Sequence, residues 1–214
     1  DPAEVQKGIG PHPRREEQPR LKAIYVSSGP AREYAGYSLN LHNGCSHGCK
    51  YCYAKKRFSG DCTRRVKKAS LENIEADLNG WQGERRPVHL TFQGDPYDLG
   101  RQDNSDVRKV LELFKKYRHP FQVLTKGGEN AVDDFDLYFE GCRFGCTLTF
   151  MDENDSRHWE PGAALPGDRI SALNAAHERG IKTWASLEPI IDPCQTLALI
   201  DASHKYVDFY GVGK

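Results

Sequence analysis

The sequence carries no net charge, with 30 Lys and Arg against 30 Asp and Glu in 214 residues. That excludes a strong overall pull toward nucleic acid or a membrane surface, although a local basic patch stays compatible with it. No apolar run comes near the roughly 20 residues that a membrane helix needs. No basic opening is followed by an apolar stretch, so no secretory signal is read. The chain also lacks an even set of cysteines. Seven, at positions 45, 49, 52, 62, 142, 146 and 194, make a poor disulfide framework. Three of them crowd into eight residues, which points to metal binding in a reducing, cytoplasmic setting. What is present is 38% hydrophobic residues, enough for one sizeable core and a soluble globular fold.

Residues 1–20 are polar, hold four prolines and show no period. They predict an extended N-terminal arm, partly disordered. From Leu21 to Lys214 the pattern predicts one domain of alternating strands and helices. Strands are expected at 37–41, 88–92, 121–124, 146–150, 181–187 and 206–210. Helices are expected at 71–81, 105–117, 132–139, 168–179 and 195–202. Val107, Val110, Leu111 and Phe114 make an apolar stripe in the second helix, and Ile170 and Leu173 face inward in the fourth. Six strands alternating with helices imply right-handed parallel βαβ units. The expected fold is α/β, a partial (β/α)6 TIM-like barrel of parallel strands. The strand tails Gly94-Asp95-Pro96-Tyr97, Thr125-Lys126, Asp152-Glu153 and Glu188-Pro189 place polar residues where barrels hold ligands.

The most informative stretch is Gly44-Cys45-Ser46-His47-Gly48-Cys49-Lys50-Tyr51-Cys52-Tyr53-Ala54. Its Cys-x3-Cys-x2-Cys spacing lets three thiolates converge from one loop, as an iron–sulfur cluster requires. Gly44 and Gly48 relax the backbone where a side chain would crowd such a body. Zinc binding and buried free cysteines are the competing readings. A zinc site normally takes four ligands from two hooks, and the only second hook is Cys142-x3-Cys146.

Cys-x3-Cys-x-aromatic-Cys, with Tyr51 as the aromatic, resembles the signature of the radical S-adenosylmethionine superfamily. The run Asn40–Ala54 resembles the opening of its spore photoproduct lyase and photolyase-like group. The match continues, in order, through Gly94-Asp95-Pro96-Tyr97, Leu124-Thr125-Lys126, Glu160-Pro161 with Pro166, Arg169-Ile170, Leu173 and Gly180-Ile181, and Pro189–Pro193. The resemblance implies a [4Fe–4S] cluster held by Cys45, Cys49 and Cys52, with one iron left for S-adenosylmethionine (SAM). It implies reductive cleavage of SAM to a 5′-deoxyadenosyl radical that takes hydrogen from a substrate. A flavodoxin- or ferredoxin-type donor would supply the electron.

The resemblance also implies roles. Lys126 would approach the SAM carboxylate or sulfonium, and Thr147 or Thr149 the ribose. Gly94 and Asp95 would serve the amino group or a ribose hydroxyl. Glu188 would hold ribose or substrate, and Tyr51 and Tyr53 would flank the cluster or adenine. Each has a plainer reading: solvated lysine, strand threonine, turn aspartate, surface carboxylate, packing aromatic. Gly127-Gly128-Glu129 spells a family amino-group segment but follows the third strand, so Gln93-Gly94-Asp95 is preferred and the former read as a loop.

The sequence departs from spore photoproduct lyase in having no cysteine between Gln93 and Gly100, where that enzyme has its hydrogen donor. Tyr97, Cys146 and Cys194 stand as catalytic candidates. Lys55, Lys56, Arg57, Arg64, Arg65, Lys67 and Lys68, with Phe58 among them, could grip nucleic-acid phosphates or form a solvated face. Trp81, Trp159 and Trp184 could stack a base or fill the core. Three functions follow: a radical enzyme acting on nucleic acid or a nucleotide, an activase making a glycyl radical on a partner protein, or a non-catalytic zinc or iron–sulfur module.

Overall fold

The computed structural model describes residues 21–56, 66–100 and 105–213. The expected arm over 1–20 lies outside them, as do Cys62, Arg57, Phe58, Arg64 and Arg65. Nine strands run along the described chain: β1 (Ile24–Val26), β2 (Tyr37–Leu39), β3 (His42–Asn43), β4 (Val66–Lys67), β5 (Val88–Leu90), β6 (Phe121–Thr125), β7 (Arg143–Thr147), β8 (Lys182–Leu187) and β9 (Phe209–Val212). Five α-helices accompany them: α1 (Leu71–Asn79), α2 (Ser105–Lys116), α3 (Glu153–Trp159), α4 (Pro166–Glu178) and α5 (Pro193–Ser203). The main sheet has the order β1-β2-β5-β6-β7-β8-β9. Strands β2 and β5 to β9 are parallel, and β1 adds an antiparallel edge. Six consecutive parallel strands with helices between them are the α/β partial barrel that the alternation predicts. No helix among the described residues is long and apolar enough to cross a membrane.

The register explains why the sheet has one apolar face. Leu39, Leu90, Val123 and Phe144 lie in one row across four strands. They pack in a single core with Ile74 and Leu78 of α1, Val107, Val110, Leu111 and Phe114 of α2, and Leu173 and Ala176 of α4. Full burial of such side chains stabilises by roughly 1.5–3 kcal/mol each. Side chains alternate along a strand, so the next row, Ser38, His89 and Gln122, faces the other way. That inner face is lined by polar and aromatic groups. Tyr34 stands against it, edge-on to His89, Phe92 and Trp184.

Several elements differ from expectation, each for a local reason. β7 begins at Arg143 rather than 146. Gly145 hides the strand in the sequence, yet a Cβ there would collide with the Trp184 indole, which crosses to donate to the Val123 carbonyl at 3.1 Å. β9 begins at Phe209 rather than 206, because Asp208 turns back to accept from the Thr183 N–H at 2.7 Å. The helix expected at 132–139 is a 3-10 segment over Gly128–Leu137. Helix α3 was not expected; it is polar up to its last residue, Trp159, and starts on Asp152, whose carboxylate accepts from the N–H groups of Asn154 and Asp155. Strand β1 is only three residues long, and Asp77 of α1 holds it by accepting from the N–H groups of Lys22, Ala23 and Ile24. In α4 the inward residues are Arg169, Ala172, Leu173 and Ala176, with Ile170 only partly buried.

Candidate metal and cofactor site

The cysteine loop follows β3 and is clamped on two sides. On one side, Asn40 accepts from the Phe92 and Gln93 N–H groups at 2.9 and 3.0 Å, and Gly44 N–H donates to the Gln93 carbonyl at 2.7 Å. Gly94 is required at this approach, since a Cβ there would stand 2.6 Å from the Gly44 oxygen. Ser46 donates through its N–H (2.8 Å) and its hydroxyl to Asp98. On the other side, Lys50 N–H donates to Trp159 O at 2.8 Å and Gly162 N–H to His47 O at 2.9 Å. The loop is thus pinned between the tail of β5 and the connection from α3 to α4. Both lie past the C-terminal ends of the strands, where barrels bind ligands.

Cys45, Cys49 and Cys52 are free thiols on this loop, Cys49 buried and the others half-buried. Burial pushes the Cys45 and Cys49 thiols up, and Asp95 and Asp98 add to the effect at Cys45. The His47 N–H lies 3.4 Å from Cys45 Sγ. Ligands on one tetrahedral zinc at about 2.3 Å lie only about 3.8 Å apart. Among the described residues the only three donors gathered within 4.8 Å are Cys45, His47 and Asp98. Two of those are already spoken for: His47 Nε2 accepts from Leu99 N–H at 3.2 Å, and Asp98 holds Ser46 and Gly100. Cys45, Cys49 and Cys52 do not gather so closely, and three thiolates from one loop are the donor chemistry of an iron–sulfur cluster with three protein ligands.

Behind the loop lies a charged cluster. Lys126, at the end of β6, sets its ammonium 5.5 Å from the centre of the Tyr51 ring. The Tyr51 hydroxyl donates to Glu160 and lies 3.2 Å from the Thr149 hydroxyl. Arg169 binds Glu160 at 2.6 Å, and both side chains are essentially inaccessible. The same guanidinium donates to the Ala164 carbonyl at 2.8 Å and the Thr147 carbonyl at 2.9 Å. Burial opposes the Glu160 charge, but Arg169 and Lys126 outweigh it and hold the carboxyl below its ordinary value. Burial likewise opposes the Lys126 charge, yet Tyr51, Cys49 and Glu160 around it raise the ammonium's pKa. Burial pushes the Tyr51 phenol up.

The remaining candidates are placed as follows. Asp95 is buried and accepts from Tyr97 N–H (2.9 Å), the Thr125 hydroxyl (2.5 Å) and Lys126 N–H (2.7 Å). Thr147 is buried at the end of β7. Tyr53 is 61% exposed and donates to the Phe92 carbonyl. Glu188 accepts from the Tyr34 hydroxyl. Tyr97 is fully buried and donates to Asp134 at 2.9 Å. Cys146 and Cys142 sit in the apolar core, and Cys194 is exposed at the start of α5. Glu129, of the Gly-Gly-Glu segment, is exposed and accepts from the Ser171 hydroxyl. Trp81 and Trp184 are buried, and Trp159 stacks on Phe150. Of the basic cluster, Lys68 reaches Gln93 and Lys55 the Gly48 carbonyl.

The sequence reading assigned no role to His47, Asp98, Glu160 or Arg169. Arg169 had a readable signal: it is a charge in the apolar stripe of α4. His47 and Asp98 had none, because their partners come from 52 residues away.

A relative from Methanocaldococcus jannaschii, described as an uncharacterized protein, is 30% identical over 183 residues, covering 82% of this chain and 69% of its own. An uncharacterized protein of Mycobacterium tuberculosis is 22% identical, covering 72% of this chain and 49% of its own. Among solved structures, a spore photoproduct lyase variant with bound AdoMet and dinucleoside spore photoproduct superposes with a TM-score of 0.69 at 20% identity. That match covers 87% of this chain, which spans 55% of the lyase. SuiB of Streptococcus suis, bound to the precursor peptide SuiA, superposes with a TM-score of 0.61 at 15% identity, covering 82% of this chain and 38% of its own. The model of the radical SAM superfamily matches residues 39–193, from β2 through the whole clamped loop to the start of α5, and the chain belongs to that superfamily.

Proposed function

We propose that this chain is a radical SAM enzyme acting on a nucleic acid or nucleotide-like substrate, with Cys45, Cys49 and Cys52 as ligands of a [4Fe–4S] cluster. The observation that carries this reading is the cysteine loop clamped over the ends of β5 and β6 with Lys126 beside it. When bound, such a cluster supplies an electron for reductive cleavage of SAM, giving the radical that takes hydrogen from substrate. This chain's residues do the binding and orienting. The Lys126 ammonium, fixed against Tyr51 and near Glu160, meets the SAM carboxylate as a charge-assisted donor. Arg169 holds Glu160, and through it the Tyr51 hydroxyl, so the ring beside the loop keeps one orientation. Thr147 and Glu188, at the ends of β7 and β8, line the mouth where ribose and substrate enter.

The nucleotide-like substrate is supported by the shared scaffold of spore photoproduct lyase, seen with a dinucleoside spore photoproduct. Thymine-dimer reversal itself is not proposed, since the tail from Gln93 to Gly100 carries no cysteine. A peptide substrate is the second reading, supported by the likeness to SuiB with its precursor peptide. The test is anaerobic reconstitution with iron and sulfide, then dithionite and SAM, with and without a deuterated DNA oligonucleotide. Formation of 5′-deoxyadenosine, with label arriving from the oligonucleotide, is expected. Stoichiometric zinc and no 5′-deoxyadenosine would overturn the enzyme reading. Label arriving only from a peptide would move the substrate to the second reading.

A further inference from the structure

His47 is buried between two cluster ligands, 1% exposed, yet nothing in the proposed chemistry uses its side chain. Its surroundings are specific. Leu99 N–H donates to Nε2 at 3.2 Å, which assigns the proton of the neutral ring to Nδ1. Nδ1 then faces Asp95 Oδ2 at 3.6 Å. A carboxylate offers about four acceptor positions, two on each oxygen. On Asp95, Tyr97 N–H and the Thr125 hydroxyl take Oδ1, and Lys126 N–H takes one position on Oδ2. His47 Nδ1 thus lies 3.6 Å from the Asp95 oxygen that keeps an acceptor position open, a close approach of the ring edge to the carboxylate.

We infer that His47 is a positioning residue that joins the cysteine loop, through Asp95, to the Lys126 turn. The inference rests on the proposed reading of the cysteine loop. The connection runs from a residue flanked by Cys45 and Cys49, across the tail of β5, to the backbone of the lysine that meets SAM. A second route runs through the connection from α3 to α4, where Gly162 N–H donates to the His47 carbonyl and Ala164 N–H to the Lys126 carbonyl, both at 2.9 Å; the Asp95 route is the one that uses the His47 side chain. It helps to set the spacing between the cysteine loop and the ammonium, which is the distance a SAM molecule must span when it reaches both. Removing a partner behind a metal ligand commonly costs about 10- to 100-fold in metal affinity or activity, and the same scale is expected for a residue that positions the loop.

Three substitutions separate this role from plain packing. His47→Leu removes both ring contacts. His47→Asn keeps an N–H near the Nδ1 position, toward Asp95. His47→Gln keeps an acceptor near the Nε2 position, toward Leu99. Each reconstituted protein is read for iron and sulfide per chain, for its unfolding midpoint, for the Kd of SAM, and for the SAM-induced change in the electron paramagnetic resonance spectrum of the reduced protein. His47→Leu is expected to keep its iron and sulfide but to weaken SAM binding about 10-fold and to blunt the spectral change. His47→Asn is expected to restore binding to within about 3-fold of wild type, and His47→Gln is not.

A role in packing alone would move the midpoint and the loading and leave the spectral response intact. A His47→Leu protein that loads and binds SAM like wild type overturns the inference. So does rescue by Gln rather than Asn, which would place the effect at Leu99. Where His47→Leu fails to fold, the Asn and Gln pair decides by the same criterion. A wild-type protein that takes up no iron–sulfur cluster overturns both the proposed function and this inference. A wild-type response with unaltered variants overturns the inference alone.

Discussion

Two pairs of cysteines share one spacing and have different fates. Cys45 and Cys49 are separated by three residues, as are Cys142 and Cys146. The first pair sits on a loop with left-handed glycines, Gly44 at φ 85° and Gly48 at φ 65°, and its backbone is tied to chain segments on both sides. The second pair spans the start of β7. At strand rise, four residues cover about 13 Å, which is too far for a shared metal. Both of its thiols are buried among the residues of the core. Spacing therefore specifies a ligand set only where the backbone is free to curl. Glycine and the absence of strand pairing supply that freedom at residues 44–52, and the β6 and β8 neighbours remove it at residues 143–147.

The largest effect tests this contrast directly. Cys45→Ala, Cys49→Ala and Cys52→Ala should each abolish uptake of iron and sulfide on anaerobic reconstitution, and with it 5′-deoxyadenosine formation. Cys142→Ala and Cys146→Ala should load as wild type. Loss of iron from either of the latter two, in a protein that remains folded, would break the comparison.

A second effect concerns what each region rests on. The core around β7 is apolar, whereas the cysteine loop leans on the buried Arg169–Glu160 pair. Removing one partner leaves the other charge without its hydrogen-bonded counter-ion in a low-dielectric site. Glu160→Gln and Arg169→Met should each cost about 3–5 kcal/mol in urea unfolding. The double variant should lose less than the sum of the two, because the partners interact directly. A Glu160→Gln protein as stable as wild type would mean that the pair contributes nothing to holding the loop.

The sequence made the parallel strands and the amphipathic helices legible because burial on one face leaves a period. Val107, Val110, Leu111 and Phe114 are the clear case. The cysteine loop was legible as a candidate metal site because three cysteines in eight residues have few other uses. What stayed hidden is built from single residues meeting over long separations. Asp98 meets Ser46, and His47 meets Leu99, across 52 residues, and no local pattern marks either. Gly145 looks like a strand breaker until Trp184 lies over it. Asp95 was read as facing a ligand because the family resemblance puts it at a strand tail, with a turn residue before proline as the plainer reading. The fold surrounds it with three protein donors, which only the tertiary structure could reveal.

The smallest effect sharpens the other half of the comparison. Cys146 is 0% exposed, and burial pushes its thiol up, so it stays a neutral thiol and behaves as a small hydrophobe. Cys146→Ala removes the sulfur and leaves a small void, costing about 1 kcal/mol. Cys146→Ser keeps the size but buries a hydroxyl among apolar neighbours, costing about 1–3 kcal/mol. If core packing is its whole role, serine is the worse replacement, and both variants form 5′-deoxyadenosine at the wild-type rate. If the thiol delivers hydrogen to a substrate radical, the stability order is unchanged. SAM would then still be cleaved, but the product distribution from a labelled substrate would shift in both variants. Unfolding curves and product analysis on the same two proteins therefore separate a buried thiol that fills space from one that reacts.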